Sequence, residues 1–410
     1  MSREARGRRR SGSLYRNGAA CTTQIRGDIR SKLHAETIVV GGGVIGCAIA
    51  YELASRGKEV ILIERARIAS ETSSAAAGML AADSETFPFP VMSKLAHESR
   101  KRLHQQKEQL ELLSGIEIGL QQSGFITPFR NEAEMKKYSD SRRSTVLPTE
   151  QIWWDHSKLQ REAPWISKET FGALYRASES ELLPVNLARA YAGAAQTMGA
   201  KVIEGVQNVS LIADSSGIQG VETSIGRLTC KHVVVAAGLQ GGEMLKQVGL
   251  NLPTLPVKGE IAAIQFPKHD ADYRPDKTVY ADNVYIVPKA NGEVWIGATS
   301  LPGRSDREVT VEGIQKLLAS AAGWVPGIQQ AQFIRAWAGV RPSTPDGLPY
   351  LGACKSIPGL YTAFGHYRNG ILLSAITGSL MADLMAGHSS EELGIDELRP
   401  ERLSRKEIMQ

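Results

Sequence analysis

Residues 38–46 read Ile38-Val39-Val40-Gly41-Gly42-Gly43-Val44-Ile45-Gly46, and this stretch decides the fold of the chain. Its β-branched start predicts a strand, and the apolar residues that follow through Leu53 recur at helical spacing. Gly41, Gly43 and Gly46 thus form a Gly-x-Gly-x-x-Gly motif between a strand and a helix. There the first glycine permits a turn, the second lets the backbone approach a pyrophosphate, and the third lets the helix pack on the strand.

A second strand supports a dinucleotide site. The apolar run of residues 59–63 ends at Glu64, which lies 18 residues after the last glycine of the motif. A carboxylate at this spacing binds ribose hydroxyls in Rossmann-type domains. The helix between the two strands offers unpaired N–H groups and a partial positive charge to the phosphates. We therefore predict an α/β domain of the Rossmann type.

The composition is that of a folded protein long enough for two or three domains. Of 410 residues, 42% are hydrophobic and 22% are charged, which excludes a disordered chain. The longest uncharged run, residues 37–51, is too short and too glycine-rich to span a bilayer. No apolar segment typical of a secretory signal follows the basic start.

Basic residues are concentrated at the N-terminus. Residues 1–36 contain nine Lys and Arg against three acidic residues, which leaves a net charge of about −1 for residues 37–410. This near-neutral remainder argues against a nucleic-acid-binding surface. The Arg- and Ser-rich start resembles an organelle transit peptide, and the alternative is a disordered extension or an upstream start codon. We predict that residues 1–36 are a disordered tail and that the protein is cytoplasmic.

The four cysteines are scattered without metal-ligand spacing, and we predict no metal site. Cys47 and Cys230 lie in a predicted apolar helix and strand, where a thiol is an inert part of the core. Such usage fits a reducing, cytoplasmic-type compartment.

The middle of the chain suggests a second domain. Residues 69–80 combine hydroxyl and small side chains, which suits either a backbone that lies against a bulky ligand or a capped helix start. Strands alternate with polar helices between residues 120 and 170, and residues 255–299 read as antiparallel strands. If residues 278–288 form one strand, Asn283 and Tyr285 share a face.

Three later stretches carry chemistry. The buried strand ending in Ala236-Ala237-Gly238 would let a nucleotide approach its carboxyl end. Arg341 lies in an apolar segment rich in turn residues, where a guanidinium suits capture of a carboxylate or, alternatively, a structural ion pair. Residues 361–373 read as a strand, a loop and a helix that starts at Gly370, whose positive end would face a ligand. His366 in that loop has no visible partner, so we interpret it as a contact residue rather than a general base.

Together these motifs resemble the FAD-dependent amine oxidase family that includes D-amino-acid oxidase and sarcosine oxidase, most closely its glycine-oxidase branch of thiamine biosynthesis. The matching pieces are residues 41–46, Glu64, 73–80, 255–260, 285–288, 337–347 and 365–373. The resemblance implies an α/β fold with a Rossmann-type FAD-binding domain and an α+β substrate domain built on an antiparallel sheet. The FAD-binding domain would comprise residues 37–115, 178–254 and 335–392, the substrate domain 116–177 and 255–334, and the C-terminal tail 393–410.

The resemblance also implies roles for individual residues. Arg341 would anchor the substrate carboxylate, Tyr285 would add a hydrogen bond, and Arg368 would lie beside the substrate as a second basic residue. The substrate pocket would include Met79, Asn283 and Ser300. FAD would be bound by Gly41, Gly43, Val44, Ile45, Gly46, Glu64, Arg65, Thr72, Ser73, Ala77, Gly78, Met79, Val206, Gly238, His366, Tyr367, Arg368, Asn369, Gly370, Ile371 and Leu372. No cysteine lies close to Arg341, so noncovalent FAD is expected.

The expected activity is oxidation of glycine and other small amines by hydride transfer to flavin N5. Oxygen would reoxidise FAD to give hydrogen peroxide, and the imine or glyoxylate product would feed thiazole synthesis. Asn283 and Ser300 replace a His and a Met of the glycine-oxidase branch, so sarcosine, N-ethylglycine and small D-amino acids are plausible substrates. A homotetramer without a membrane span is implied.

Three alternatives remain open. The first is a sarcosine or D-amino-acid oxidase or dehydrogenase of the same fold that passes electrons to another acceptor. The second is a flavin-binding protein without catalytic activity. Arg341 and Tyr285 argue against it, because such a protein would not need a carboxylate anchor. The third is an NAD-dependent dehydrogenase, an interpretation that rests on the glycine motif alone and leaves the cluster at residues 361–373 unexplained.

Overall fold

The structure is a computed structural model, and it describes residues 34–141, 151–267 and 273–403. In chain order, the strands are β1 (His34–Val40), β2 (Val60–Ile63), β3 (Met79–Leu80), β4 (Phe125–Phe129), β5 (Ile152–Asp155), β6 (Gly172–Arg176), β7 (Ser180–Glu181), β8 (Lys201–Ile203), β9 (Ser210–Asp214), β10 (Gly217–Thr223), β11 (Gly226–Val235), β12 (Leu255–Gln265), β13 (Thr278–Tyr280), β14 (Tyr285–Pro288), β15 (Val294–Gly297), β16 (Leu301–Pro302), β17 (Gln332–Ser343), β18 (Tyr350–Ala353) and β19 (Leu360–Phe364).

The helices come from segments with apolar residues at helical spacing. They are α1 (Val44–Ser55), α2 (Pro90–Ser114), α3 (Glu132–Ser141), α4 (His156–Glu162), α5 (Pro184–Thr197), α6 (Gly241–Lys246), α7 (Val311–Trp324) and α8 (Ser374–Met385). Short 3₁₀ helices occupy Thr72–Ala75, Gly238–Gln240, Pro326–Gln330, Asp396–Leu398 and Pro400–Arg402. Among the described helices, none is long and apolar enough to cross a membrane.

The first sheet is mostly parallel and has β1 at its centre. Its strand order is β18-β19-β11-β1-β2-β8, and β9 and β10 extend it from β11. β1 runs parallel to both β2 and β11, which places the glycine turn at the carboxyl end of the central strand. Ligands of open parallel sheets bind at this edge. The predicted Rossmann-type α/β arrangement is confirmed.

Helix α1 is buried almost all round, because its residues are apolar or small on every face. It packs against α5 and α8, and it contributes to a core with Val39, Ile49 and Leu53, each at most 2% exposed. The glycine turn is therefore held between a buried strand and a buried helix, so its backbone has little freedom to shift.

The second sheet is mostly antiparallel. Its order is β16-β12-β15-β14-β13-β4-β6-β5, with β17 paired along β12. Only β13 and β4 among its described pairings run parallel. The long antiparallel ladder of β12 and β17 matters most for function, because it sets Val257 opposite Arg341 and Gly259 opposite Gly339.

Four sequence-based expectations need correction. Residues 278–288 are not one strand, because Ala281 N donates to Val284 O and the chain turns there, leaving Asn283 in the turn. The last helix begins at Ser374 rather than Gly370. The predicted tail 1–36 overlaps β1, which begins at His34; residues 1–33 lie outside the described residues.

The fourth correction concerns the predicted C-terminal tail, 393–410. Ile395 and Leu398 are fully buried. Arg402 forms a two-pronged ion pair with Asp346, with N–O distances of 2.7 and 2.9 Å. Residues 395–402 are thus packed onto the body, and they brace the loop that follows β17.

Candidate active site

The glycine motif is enforced by sterics at two of its three positions. Gly41 has a φ of 114°, a left-handed conformation that favours glycine. A side chain at Gly46 would overlap the carbonyl oxygen of Gly41, so α1 can approach the turn only with glycine there. Gly43 differs, because a Cβ atom there would meet only Ser73 Oγ, at 3.4 Å. The space over Gly43 is therefore available to a ligand.

Hydroxyl groups of the 69–80 segment close around the start of α1. Ser73 Oγ accepts a hydrogen bond from Val44 N at 3.0 Å, and Thr72 Oγ1 donates to Val340 O at 2.7 Å. These residues form a short 3₁₀ helix rather than a long capped helix. They tie the first turn of α1 to β17, the strand that carries Arg341.

Glu64 lies at the predicted ribose position, but its carboxylate also organises the glycine turn. Its Oε2 accepts from Gly42 N at 2.7 Å, and its Oε1 accepts from Ala66 N at 2.8 Å. Val206 donates its N–H to Glu64 O and its side chain is fully buried. The turn and the acidic residue after β2 are thus one hydrogen-bonded unit.

A cavity of about 1200 Å³ opens beside this unit. Its walls include Val44, Thr72, Ser73, Ala77, Gly78, Met79, Asn283, Tyr285, Ser300, Arg341, Tyr367, Arg368, Asn369, Gly370, Ile371 and Leu372. These predicted FAD- and substrate-contacting residues are therefore brought together. The predicted residues Gly41, Gly43, Ile45, Gly46, Glu64, Arg65, Val206, Gly238 and His366 do not line this cavity.

Two of these outliers have other surroundings. Arg65 forms an ion pair with Glu71 at 3.0 Å on the exposed surface. Gly238 begins a 3₁₀ helix after β11 with a φ of 54°, and a side chain there would meet nothing within 4 Å.

Residues 370–372 offer a row of hydrogen-bond donors to the cavity. The turn before α8 is closed by Leu373 N, which donates to Asn369 O at 2.8 Å. Within the described part of the chain, the N–H groups of Gly370, Ile371 and Leu372 donate to no acceptor. Neighbouring unpaired N–H groups in the turn just before a helix suit an anionic or carbonyl group of a ligand.

His366 lies behind this row and is buried. Its Nε2 is 3.1 Å from Thr377 Oγ1 of α8. Burial lowers the pKa of His366 to about 3, so the imidazole stays neutral at neutral pH. The histidine is thus a structural contact and has no charge to offer.

Arg341 and Tyr285 lie together in the cavity wall. Arg341 Nη1 donates to Thr299 O at 3.2 Å, and among the described residues this guanidinium forms no ion pair. Burial raises the pKa of the Tyr285 hydroxyl, against the opposing effect of Arg341, so it stays a neutral donor. A cation that is held only by neutral groups is prepared to receive a carboxylate.

Two glycines make room for this pair, and sequence reasoning missed both. A side chain at Gly259 of β12 would overlap the Arg341 guanidinium, and one at Gly297 of β15 would lie 2.6 Å from the Tyr285 ring. The arginine and the tyrosine therefore lie flat across the backbones of neighbouring strands. Gly259 makes room for a residue 82 positions later in the chain, whereas Gly297 lies directly opposite Tyr285 on the neighbouring strand.

A buried charge network supports the strand beneath Arg341. Lys258 is fully buried and donates to Asp306 at 2.6 Å, and it lies 3.7 Å from Glu260. Glu260 in turn accepts from Thr310 N at 2.7 Å. Because an unpaired buried charge is costly, this network holds β12 in register next to the loop of Thr299.

Arg368 also lines the cavity, but it is paired. Its Nη2 donates to Glu85 Oε1 at 3.0 Å, and Tyr280 OH donates to the same oxygen at 2.7 Å. The Glu85 carboxylate raises the pKa of Arg368, so the guanidinium stays charged at any ordinary pH. Sequence reasoning missed Glu85, which is 283 residues away from its partner along the chain.

The wall around Ala77 is fixed by a buried ammonium group. Lys289 Nζ donates to Ala77 O and, at 2.9 Å, to Leu182 O. Burial lowers the pKa of Lys289 to about 7, against the opposing effect of Glu181. The backbone of residues 77–79 is thus anchored to β7 and β14 where it faces the cavity.

The fold and this cavity define a flavoprotein oxidoreductase, and comparison with known proteins agrees. The chain belongs to the family described as FAD dependent oxidoreductase (DAO), whose model matches residues 36–384.

The glycine oxidase of Geobacillus kaustophilus is 39% identical over 355 residues, which cover 85% of this chain and 92% of that protein. The crystal structure of the Geobacillus kaustophilus glycine oxidase superposes on this chain with a TM-score of 0.83 and 36% sequence identity. The superposition covers 91% of this chain and all of the oxidase chain. The bifunctional protein ThiO/ThiG of Nostoc is 33% identical over 87% of this chain and 54% of its own length.

FAD is the cofactor of this family, and the residues present fit it. The open space over Gly43 and the unpaired N–H groups of residues 370–372 suit the pyrophosphate and the flavin carbonyl edge. The described cysteines, Cys47, Cys230 and Cys354, are buried, and burial raises the pKa of each thiol. This supports noncovalent binding, because inert thiols do not attack a cofactor.

Proposed function

We propose that the protein oxidises glycine and other small amino acids with FAD and releases the imine, which in the case of glycine reacts with water to give glyoxylate and ammonia. The observation that carries the proposal is the Arg341 guanidinium, which forms no ion pair among the described residues and lies beside the neutral Tyr285 hydroxyl in the cavity wall. This pair suits an α-carboxylate, and the glycine oxidases of Geobacillus kaustophilus and Bacillus subtilis are 39% and 34% identical to the chain.

The protein's part in the reaction is to bind and orient. Arg341 and Tyr285 fix the carboxylate, so that the Cα–H bond of the substrate is directed to one side of the cavity. Bound FAD would supply the acceptor for one hydride, which carries two electrons and a proton. His366 is neutral and hydrogen-bonded to Thr377, so it is not assigned as a base. A substrate that enters as the neutral amine needs no protein base.

The substrate range is proposed to extend beyond glycine. Asn283 and Ser300 line the cavity and are exposed, and they replace a larger His and Met of the glycine-oxidase branch. Sarcosine, N-ethylglycine and small D-amino acids are therefore proposed as additional substrates.

The test is a peroxide-coupled assay of the FAD-loaded protein with glycine, sarcosine, D-alanine and D-proline. We expect hydrogen peroxide with oxygen as the sole acceptor, in amounts equal to the amine consumed. Turnover only with an artificial acceptor would instead favour a dehydrogenase of the same fold. Activity confined to glycine would reject the wider substrate range, and no turnover of any amine would reject the proposal.

Three further proposals rest on resemblance. The imine is proposed to feed thiazole synthesis for thiamine, since the ThiO/ThiG relative is 33% identical over 87% of this chain. A homotetramer and a cytoplasmic location are proposed on the same ground. Mass measurement of the native protein tests the first of these two, and fractionation of cells tests the second.

A further inference from the structure

Glu85 is an acidic residue of the cavity wall that forms an ion pair with Arg368 of the same wall. It lies with Arg368 and Tyr280 on that wall, and one of its oxygens, Oε1, receives hydrogen bonds from both. The Glu85 side chain is 13% exposed, whereas the Arg368 side chain is 43% exposed. The charge of Arg368 is thus neutralised from within the protein before any substrate arrives.

The backbone beside Glu85 is held firmly. Asp83 N and Ser84 N donate to Glu179 Oε1 at 2.6 and 2.8 Å. The Asp83 carboxylate in turn contacts His97 at 2.6 Å and Arg100 at 2.8 Å, both from α2. This buried network positions the segment that carries Glu85, so the carboxylate meets Arg368 without reorganisation.

The surroundings of Tyr285 connect this pair to the substrate. The hydroxyl of Tyr285 is influenced by Arg341, Arg368 and Glu85 together, so these charges converge on one region of the cavity. A monocarboxylate substrate needs only Arg341. A second carboxylate that extends toward Arg368 would meet the negative charge of Glu85, which repels it and already occupies the guanidinium.

We propose that Glu85 is a specificity-determining residue that, by occupying Arg368, restricts the cavity to amino acids with one carboxylate. The inference rests on the proposed oxidation of small amines at the Arg341 end of the same cavity. The excluded class is that of N-carboxymethyl or otherwise dicarboxylate amines, whose second anionic group would have to displace Glu85.

The experiment compares N-ethylglycine with iminodiacetate. The two compounds differ at one position, where N-ethylglycine carries a methyl group and iminodiacetate a second carboxylate. In the wild-type holoenzyme, kcat/KM for iminodiacetate should be about tenfold or more below that for N-ethylglycine. In Glu85→Gln, the ratio of the two values should shift toward iminodiacetate by about tenfold or more. In Glu85→Gln combined with Arg368→Gln, this gain should disappear.

A binding measurement separates recognition from turnover. Ethoxyacetate and oxydiacetate carry an ether oxygen in place of the amine and cannot be oxidised in the same way. Their dissociation constants, followed through the visible absorbance of the holoenzyme, should show the same reversal in Glu85→Gln. Tyr280→Phe is the matched control, because it removes a donor to Glu85 while both charges remain, and its ratio should stay within about threefold of wild type.

Three results would overturn the proposal: an unchanged ratio in Glu85→Gln, a gain that persists without Arg368, or an equal gain in Tyr280→Phe. Loss of the proposed function is distinguishable from these, because the wild type would then oxidise neither glycine nor N-ethylglycine. The ether titrations would still report whether Glu85 selects against a second carboxylate.

Discussion

Arg341 and Arg368 line the same cavity, and the protein treats their charges in opposite ways. Arg341 is held by the carbonyl oxygen of Thr299, a neutral group, and its charge stays available. Arg368 is bound to the carboxylate of Glu85. Because a guanidinium that is already paired gains little from a second anion, the two arginines cannot be equivalent toward a substrate carboxylate. The position of an arginine in a cavity wall therefore does not establish that it binds substrate.

The strongest way to break this comparison is Arg341→Ala. We expect kcat/KM for glycine to fall. The drop should correspond to a loss of about 2–5 kcal/mol of transition-state stabilisation, the usual cost of truncating one partner of a buried charge pair. The visible spectrum should show that FAD remains bound. Arg368→Ala serves as the contrast, with an expected loss of about 1 kcal/mol or less because its side chain is partly exposed. Equal losses in the two variants would contradict the distinction.

Gly259→Ala tests the role of Arg341 by displacing its guanidinium, without removing any charge. The added methyl group would overlap the Arg341 guanidinium, and overpacking of this kind costs about 1–3 kcal/mol. We expect KM for glycine to rise roughly tenfold or more, with a smaller change in kcat, in steady-state measurements on the holoenzyme. Gly323→Ala in α7 is the control, because a Cβ there meets nothing within 4 Å. A normal KM in Gly259→Ala would show that Arg341 can be displaced without consequence.

The smallest expected effect concerns Glu179, which holds the backbone next to Glu85, the partner of Arg368. Burial raises the pKa of Glu179 to about 7, above its ordinary value near 4.5. Stability from protonated Glu179 is therefore fully present below about pH 4.5 and is lost as pH rises through about 7. We expect Glu179→Gln to remove about 1–3 kcal/mol of the pH dependence of unfolding between pH 5 and pH 8.

Chemical denaturation at both pH values checks this prediction. The hydrogen bond to Asp83 raises the pKa of His97 as well, so only the difference between variant and wild type isolates Glu179. Identical pH slopes in the two proteins would count against a buried, protonated Glu179.

Local sequence patterns predicted the cofactor end better than the substrate end. The strand, glycine turn and helix of residues 38–55 follow from short-range rules, because neighbouring residues determine all three. The break at residues 281–284 was missed, although Asp282 and Asn283 are turn-forming residues that could have signalled it.

Glu85 and Gly259 could not be predicted in the same way. Each acts on an arginine from another part of the chain, and nothing in its immediate neighbours records that contact. Arg341 itself was found from its apolar, turn-rich setting and from resemblance. What the sequence alone did not reveal was which of the two arginines the protein leaves unpaired.

The order of strands in the first sheet has a consequence for how the protein is made. The glycine turn follows β1 and begins at residue 41, whereas the donors at residues 370–372 follow β19. These strands are far apart in the chain, yet only β11 lies between them in the sheet. At about 5–20 residues per second, a ribosome needs roughly 15–70 seconds between the two ends of the site. During that interval α1, which is apolar almost all round, lacks α5 and then α8 to cover it. We therefore expect α1 to need protection in the nascent chain, and FAD to meet its complete site only after residues 370–372 have been made.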